Sequence, residues 1–300
     1  ERVITTGGHY AFLKIAEGCD KHCTYCIIPS LRGNFRSVPM ERLVSEAQSL
    51  ADQGVKELIL VAQETTLYGV DLYGKKSLPE LLKRLCRISG LQWIRIQYCY
   101  PEEITDELIE TIKTEEKVCH YLDMPIQHAS DTILRRMGRR TSREQLKEIV
   151  GKLRSEIPDI AIRTTLISGF PGETEEDFLE TMDVVRKVRF DSAFTFIYSK
   201  RTGTPAAAME EQIPEAVVKD RFDRLLSEVQ KISAEVCGRD AHTVKDVLVE
   251  DLDDHVEGFV TGRLDNNTTV HFKGDASLIG QIVDVNLDES KGFYFMGTLK

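Results

Sequence analysis

The sequence predicts an α/β protein in which a parallel sheet wrapped by helices is followed by a small β-barrel. Two observations predict this fold. Strand-like and helix-like segments alternate six times over the first two hundred residues, and the last sixty residues carry short β-rich runs between glycine and asparagine turns. Six units are too few for the usual eight-fold closed barrel. A partial (βα)6 barrel or a doubly wound sheet remains, and in both of these ligands bind at the carboxyl ends of the strands.

The strands of the sheet are predicted from short apolar runs, as expected for a parallel sheet covered on both faces. They span residues 9–15, 56–61, 93–98, 121–126, 161–167 and 193–198. Apolar residues at helical spacing, together with helix-start residues, mark the segments between them. These helices span residues 39–53, 78–88, 105–112, 131–137, 143–155 and 173–188.

The residue pattern changes in the last third of the chain. Residues 214–236 have the pattern of one long amphipathic helix. Beyond it we predict a small antiparallel barrel, which gives a domain over residues 1–237 and a second domain over residues 238–300. Its five strands are predicted over residues 247–249, 258–260, 268–272, 281–287 and 293–299.

The composition indicates a folded protein whose cysteines bind metal rather than form disulfides. No apolar run approaches the roughly 20 residues that a membrane-spanning helix needs. Three of the seven cysteines lie within eight residues, which favours metal ligands in a reducing cytoplasm. The net charge is -10, and residues 241–300 contain 11 Asp and Glu against 5 Lys and Arg. We therefore expect a cytoplasmic protein, with no membrane partner, whose last sixty residues repel nucleic-acid phosphate.

The clustered cysteines follow the first predicted strand, with the spacing Cys19-x-x-x-Cys23-x-x-Cys26. Thiolates are soft ligands suited to iron–sulfur clusters or zinc. Three thiolates leave one iron of a four-iron cluster open, which is a catalytic feature, whereas a structural zinc site has four ligands. The alternative interpretation is a structural zinc site in which His22, inside the same loop, is the fourth ligand.

This spacing, directly after a first strand and ahead of five more strand–helix units, resembles the radical S-adenosylmethionine (SAM) superfamily. In that superfamily the open iron binds the amino and carboxylate groups of SAM, and reductive cleavage gives a 5′-deoxyadenosyl radical. The resemblance implies a 4Fe-4S cluster on Cys19, Cys23 and Cys26, with SAM as a second cofactor. The aromatic residue before the third cysteine, here Tyr25, then lies near the adenine.

Segments at the other strand ends fall where this fold binds SAM. The resemblance places the contact with the amino group on Gln63 and Glu64, although the family's usual Gly-Gly-Glu is absent here. Arg163 either pairs with the cofactor carboxylate or belongs to a buried ion pair. The other SAM contacts are assigned to Gln127, Ile167, Gly169, Phe170 and Tyr198, and the residues facing substrate to His128, Ser130 and Arg201.

Local structure offers a second interpretation of some of these positions. Pro171-Gly172 followed by acidic residues starts a helix well, and Ser130 or Asp131 is a good N-cap. His128 can equally be a residue at a helix entry that makes one hydrogen bond. For the turn and the cap, the structural and the functional interpretation are compatible.

The whole chain resembles the methylthiotransferases of that superfamily. Its cysteine loop continues as Ile27-Ile28-Pro29, with Arg32-Gly33 beyond, and its last sixty residues are similar to a TRAM-type β-domain. These enzymes take a methyl group from one SAM and a radical from another. They carry an amino-terminal domain whose three cysteines hold a second 4Fe-4S cluster, and we expect that domain to lie upstream of Glu1. We therefore expect this chain to cleave SAM without completing methylthiolation.

Two branches of the methylthiotransferases differ in substrate. One modifies an adenosine in tRNA, and the other the β-carbon of an aspartate in protein S-twelve of the small ribosomal subunit (uS12). The segments 8–11 and 125–131 resemble the second branch, and the acidic last sixty residues favour a basic protein over RNA. The resemblance implies uS12 as partner and flavodoxin or ferredoxin as electron donor. A metal-stabilised binding module and an RNA-binding scaffold are the rival classes.

Overall fold

A computed structural model describes residues 6–300, and over this range a helix-wrapped sheet is followed by a β-barrel. The expected mixed α/β architecture is confirmed. In chain order the strands are β1 (Tyr10–Lys14), β2 (Ala16–Glu17), β3 (Arg36–Ser37), β4 (Glu57–Val61), β5 (Trp93–Ile96), β6 (Val118–Asp123), β7 (Ala161–Ser168), β8 (Ser192–Ile197), β9 (Val244–Leu252), β10 (Phe259–Arg263), β11 (Thr269–Lys273), β12 (Ile282–Ser290) and β13 (Tyr294–Leu299).

The long predicted helices are present, with their ends shifted by a few residues. Two short helices, over residues 28–32 and 70–73, were not predicted, because four or five residues are too few to show a helical period. No helix in residues 6–300 combines the length and the apolar character needed to cross a bilayer. The helices are α1 (Ile28–Arg32), α2 (Met40–Asp52), α3 (Val70–Tyr73), α4 (Leu78–Cys86), α5 (Asp106–Thr114), α6 (Asp131–Arg136), α7 (Arg143–Glu156), α8 (Glu175–Val188) and α9 (Glu215–Cys237).

The strands of the large sheet lie in the order β1-β4-β5-β6-β7-β8. Neighbouring strands pair in parallel throughout. A doubly wound sheet would reverse its strand order at a switch point, whereas this order never reverses. The sheet is therefore a partial (βα)6 barrel, and the doubly wound alternative is excluded.

Alternation along β7 separates the two faces of this sheet. Ile162 and Leu166 are fully buried in the main core beneath the helices. Arg163, Thr165 and Ile167 alternate with them and are only partly buried, so they lie on the concave face. In the register with β8, Thr165 pairs with Phe194 and Ile167 with Phe196. The concave face of the last two strands is thus partly open, unlike β4, which is almost entirely buried.

The carboxy-terminal strands form a closed five-stranded barrel in the order β10-β11-β13-β12-β9. Four of its pairings are antiparallel, but β11 and β13 run parallel, which corrects the expectation of a wholly antiparallel barrel. An odd number of strands cannot alternate direction around a closed ring, so at least one neighbouring pair must be parallel. The barrel interior is filled by its own apolar side chains, among them Val249, Phe272 and Phe295.

The barrel packs against the amino-terminal edge of the sheet, opposite the edge where ligands are expected. Leu248 of β9 packs with Trp93 and Tyr121, which lie on the sheet strands β5 and β6. Buried ionic contacts reinforce this junction. Glu57, the first residue of β4, accepts hydrogen bonds from Arg95 of the sheet and Arg263 of the barrel. Apolar and ionic groups are thus both buried between the barrel and the sheet.

Candidate active site

The three clustered cysteines lie in the loop after β2, at the carboxyl edge of the sheet. β2 pairs with β3, which closes the base of this loop. Gly18 has φ +82°, and a Cβ there would lie 2.1 Å from the carbonyl oxygen of Asn34, so only glycine fits this turn. The side chains of Cys19, Cys23 and Cys26 line one cavity of about 390 Å³. The loop therefore brings all three thiols to a single space.

Backbone contacts hold the far side of the loop. Thr24 donates from its N–H to the carbonyl of Met137 at 2.9 Å and from its hydroxyl to the carbonyl of Arg136 at 2.7 Å. Its own carbonyl accepts from the N–H of Ala206 at 2.9 Å. The cysteine loop is thereby fixed to the segments that follow α6 and β8.

Burial is the main cause that raises the pKa of the Cys19 and Cys26 thiols. The other thiols of the cluster raise these pKa values further, because neighbouring thiolates repel one another. Arg201 acts in the opposite direction on the pKa of Cys26. Thiolates therefore need a compensating cation in this cavity, and iron supplies one when it binds.

The donor set fits a four-iron cluster, in which each cysteine binds a different iron. The three thiols face the same cavity. His22, the fourth ligand of the zinc alternative, is exposed and is not among the residues lining that cavity. Among residues 6–300, no three His, Cys, Asp or Glu side chains are arranged to hold a single metal ion. The geometry thus favours the cluster over a structural zinc ion.

Two residues beside the cysteines were missed by the sequence analysis. The hydroxyl of Tyr100 lies 3.6 Å from the sulfur of Cys23, and the guanidinium carbon of Arg139 lies 4.1 Å from the centre of the Tyr100 ring. Arg139 is 6% exposed, and its Nε and Nη1 have no hydrogen-bond partner within residues 6–300. A buried cation with two free donors needs an anion. No local sequence pattern marks Arg139, since it lies 113 residues beyond Cys26 in the chain.

A second cavity of about 390 Å³ lies next to the first. The two cavities share lining residues, so they form one continuous groove across the carboxyl ends of the strands. Six of the residues predicted to bind SAM or substrate line one or both of them, namely Tyr25, Gln63, Gln127, Ile167, Tyr198 and Arg201.

Two of the other predicted SAM contacts, Gly169 and Phe170, lie behind the groove. Phe170 is fully buried, with its ring centre 6.5 Å from that of Tyr25 and 5.4 Å from that of Tyr198. Gly169 has φ +79°, and a Cβ there would lie 2.6 Å from Val218 of α9. Neither residue is among those lining the two cavities, and both support the groove wall from behind.

Gln63 and Glu64, which follow β4, have different environments. Gln63 lines the first cavity and accepts the N–H of Gly18 at 2.8 Å, which ties it to the cysteine loop. Glu64 is buried, and one of its carboxylate oxygens accepts from the hydroxyl and the N–H of Thr66. Its Oε2 has no partner in the described part of the chain. Burial raises the pKa of Glu64 to about 7, which makes it a carboxyl group that can change charge near neutral pH.

Of the two roles predicted for Arg163, the structure shows the second, that of a member of an ion pair. Its Nε donates to Oδ1 of Asp123 at 3.0 Å, and the Asp123 side chain is only 4% exposed. Arg163 does not line either cavity. The interpretation as a member of a buried ion pair is therefore the one that the structure supports.

His128 and Ser130 lie in a buried hydrogen-bond network, which corrects their prediction as substrate-facing residues. The N–H of Ser130 donates to Nδ1 of His128 at 3.0 Å. Nε2 therefore carries the hydrogen, and it donates to Oε2 of Glu173 at 3.1 Å. Ser130 occupies the N-cap position of α6, but its hydroxyl bonds to Asp177 of α8 instead of capping its own helix. The network connects the starts of α6 and α8.

The helix start predicted after Pro171-Gly172 lies two residues further on. Helix α8 begins at Glu175, with Thr174 as N-cap in a capping box with Asp177. Glu173, just before it, accepts hydrogen bonds from Gly169, His128 and Arg221. This single carboxylate thus joins the end of β7 to α9.

Comparison with known proteins agrees with this geometry. The family model of the radical SAM superfamily matches residues 13–185, and that of the TRAM domain matches residues 242–300. The chain therefore belongs to the radical SAM superfamily, which implies a 4Fe-4S cluster and SAM as its cofactors.

Comparison with curated relatives identifies one family within this superfamily. A protein of Lachnoclostridium phytofermentans named ribosomal protein uS12 methylthiotransferase RimO is 57% identical over 99% of this chain. A protein of the same name from Geobacter sulfurreducens is 45% identical, also over 99% of the chain. The chain belongs to this methylthiotransferase family, and the resemblance seen in its sequence is confirmed. It spans 69% and 68%, respectively, of the length of these two relatives.

Solved structures show the same fold at low sequence identity. The radical SAM enzyme HemN from Escherichia coli, coproporphyrinogen III oxidase, has a TM-score of 0.57 at 18% identity, over 75% of this chain and 53% of that one. The radical SAM methyltransferase TsrM from Kitasatospora setae has a TM-score of 0.55 at 18% identity, over 66% and 38%. These similarities support the partial-barrel architecture alone.

Proposed function

We propose that this protein is a radical SAM methylthiotransferase that modifies the β-carbon of an aspartate in ribosomal protein uS12. The observation that carries the proposal is the convergence of three cysteine thiols on one cavity at the carboxyl edge of the partial barrel. The similarity to the uS12 methylthiotransferases over 99% of the chain supports the reaction and the substrate.

Cys19, Cys23 and Cys26 would hold the cluster. When bound, the cluster and SAM supply a radical that removes hydrogen from an unactivated carbon. The residues of the chain bind, orient and shield the reactants, and for so reactive a species positioning dominates. The groove is bounded by apolar walls, including Tyr25, Ile167 and Tyr198, which limit access of water.

The groove offers partners for each part of SAM. We assign the apolar wall of Tyr25 and Ile167 to the adenine, and Gln127, which lines both cavities, to the ribose. Gln63 and Glu64 are assigned to the amino group. Arg139 is assigned to the carboxylate. Like Arg163 it does not line either cavity, but it lies beside Cys23, and its Nε and Nη1 have no partner within residues 6–300. Gly169 and Phe170 position this wall without touching SAM.

The acidic barrel supports a protein substrate over tRNA. Residues 241–300 contain 11 acidic against 5 basic side chains, a balance that repels phosphate and attracts a basic ribosomal protein. Within this surface Asp246 and Asp284 are directly paired across β9 and β12. Burial, together with the nearby Asp284 carboxyl, raises the pKa of Asp246. The alternative, modification of a tRNA adenosine, is not favoured by the charge of this surface.

Further parts of the proposal concern the complete protein. We propose a core domain over residues 1–237 and a TRAM-type domain over residues 238–300, with a further amino-terminal domain that holds a second 4Fe-4S cluster. Flavodoxin or ferredoxin is proposed as electron donor, and the cytoplasm as location. The present residues then cleave SAM, while complete methylthiolation requires the second cluster.

Mass spectrometry of uS12 from cells with and without the full-length gene tests the reaction. We expect one aspartate to carry an added sulfur and methylene in the presence of the gene and to be unmodified in its absence. An unmodified uS12 in both strains, or a loss of modified adenosine from tRNA instead, would refute the proposed substrate.

Anaerobic reconstitution with iron and sulfide tests the site. Stoichiometric zinc without bound iron would favour the binding module.

A further inference from the structure

The concave face of the sheet is open to the side, between its first and last strands. Phe12 on β1 is 38% exposed, and Phe194 and Phe196 on β8 are 51% and 53% exposed. In a closed barrel these inward-facing positions would be covered by a neighbouring strand. Phe196 also lines the second cavity. The lateral opening therefore leads directly into the groove beside the cysteines.

Arg163 lies on the concave face at this opening. Its guanidinium carbon is 4.9 Å from the centre of the Phe194 ring and 5.7 Å from that of Tyr121. Its Nε is bound by Asp123 at 3.0 Å. No hydrogen bond from its two Nη atoms is made within residues 6–300, and the side chain is 14% exposed. One edge of the guanidinium is thus fixed, while the edge formed by the two Nη atoms is free.

The free edge has the chemistry of a carboxylate receptor. Two parallel N–H groups of a guanidinium bind the two oxygens of a carboxylate in a planar, bidentate pair. Asp123 fixes the orientation of the guanidinium, and the Phe194 ring supports one of its faces. Less side-chain entropy is lost on binding because the receptor is already ordered.

This receptor is close to the groove. Thr165, two residues beyond Arg163 on the same face of β7, lines the second cavity. Tyr98, which lines the first cavity, is near enough to Asp123 and Arg163 for both charges to affect its ionisation. Two further arginines of the site lie elsewhere, Arg139 beside Cys23 and Arg201 beside Cys26. Lys14, on the same face of β1 as Phe12, also lies at the opening, but it is paired with Glu17 at 2.7 Å. Arg163 is thus the arginine at the side where a polypeptide can enter.

We infer that Arg163 is the specificity-determining residue that binds the carboxylate of the substrate aspartate, through its two Nη atoms. The inference rests on the proposed function, since it concerns the substrate side chain named there. The carbon to be modified is bonded directly to the carboxylate carbon. A bidentate hold on the carboxylate therefore fixes the position of the reacting carbon and rejects asparagine and uncharged side chains at that position.

The inference is tested by comparing the binding of two forms of uS12 to protein variants, without catalytic turnover. Full-length protein is titrated with recombinant uS12 that carries either the target aspartate or asparagine in its place. We expect the wild type to bind the aspartate form about 10- to 100-fold more tightly, as befits the loss of a charge-assisted bidentate pair. In Arg163→Gln the ratio should fall to near one, and in Arg163→Lys to an intermediate value.

Controls separate binding from folding. Arg163→Gln leaves the nearly buried Asp123 without its counter-charge, so the double variant Arg163→Gln, Asp123→Asn removes both charges, and it should also lose the discrimination. Arg186→Gln, on the outer surface and paired with Glu228, should retain the wild-type ratio. A wild-type ratio near one, or a full ratio in the Arg163 variants, overturns the inference but leaves the proposed function intact. No binding of either form of uS12 to the wild type overturns both.

Discussion

The guanidinium of Arg263 donates to both carboxylate oxygens of Glu57, at 2.6 Å to Oε2 and 3.2 Å to Oε1, across the junction between barrel and sheet. Glu57 is fully buried, and it also accepts from Arg95 at 2.6 Å. Burial alone would raise the pKa of Glu57, but the two arginines hold it below its usual range. Glu57 is thus shared by the two buried cations, and Glu250 accepts from Nε of Arg263 at 3.0 Å as a second counter-charge.

Glu57→Gln should be strongly destabilising, because it keeps the shape of the side chain but leaves both arginines without this counter-charge. We expect the free energy of unfolding in urea at neutral pH to fall by about 3–5 kcal/mol. The control is Lys187→Ala, which removes an exposed pair with Asp183 and should cost less than about 1 kcal/mol. Equal effects of the two substitutions would show that the junction does not depend on the buried ions.

Replacing any one of Cys19, Cys23 and Cys26 with alanine should abolish stable cluster binding, since each thiol supplies the ligand of a different iron. The measurement is iron and sulfide content after anaerobic reconstitution, together with the visible absorption spectrum. Cys86→Ala is the matched control, because Cys86 ends α4 and does not line the cavity. Retention of full iron content by a variant of one loop cysteine would contradict the assignment.

Arg139→Met should weaken SAM binding by about 10- to 100-fold, because it removes a buried cation assigned to the cofactor carboxylate while keeping most of the side-chain volume. Equilibrium dialysis of the reconstituted protein gives the affinity. Arg140→Met, at the adjacent exposed position, should bind SAM normally. If Arg139→Met bound SAM with unchanged affinity, another cation would have to bind the SAM carboxylate.

Glu64 should make stability decrease as the pH rises. Its pKa is about 7 in the folded chain and near 4.5 when exposed, so between these values the unfolded chain loses its proton first. The folded state binds more protons over this window, and it is therefore penalised by about 3 kcal/mol once both states are ionised. Unfolding of wild type and Glu64→Gln at pH 4 to 8 measures this change as the difference between their curves.

The matched control for that measurement is Glu144→Gln, at a carboxylate with a 73% exposed side chain, for which the difference from wild type should stay flat. A flat difference for Glu64→Gln as well would mean that the pKa of Glu64 is the same in the folded and the unfolded chain. Protonation of Glu64 below neutral pH should also weaken its proposed contact with the amino group of SAM.

The sequence predicted the fold where the pattern was local. Apolar strands and amphipathic helices gave each βα unit to within a few residues. The parallel pairing of β11 with β13 was not predicted, because it follows from the closure of five strands into one ring and leaves no mark on the residue pattern of either strand.

The cysteine site was predicted because its ligands are close in sequence. Arg139, Tyr100 and Asp123 were missed because only the fold brings them to the site. His128 and Ser130 were assigned to substrate since they follow a strand, where polar side chains often face ligands. The backbone after β6 instead turns them towards α8, where Glu173, Thr181 and Asp177 satisfy their hydrogen bonds. The position of a residue after a strand predicts that it lies at the edge of the sheet, but it does not predict where its side chain points.

The position of the barrel at the amino-terminal edge of the sheet sets a minimum distance between two contact sites for a substrate. The cysteine groove lies at the other edge, and the eight residues of β7 that separate the two edges extend over about 26 Å. A partner docked on the acidic barrel must span this distance to reach the groove through the side opening. Only a substrate whose target loop projects that far from its basic surface can satisfy both contacts at once.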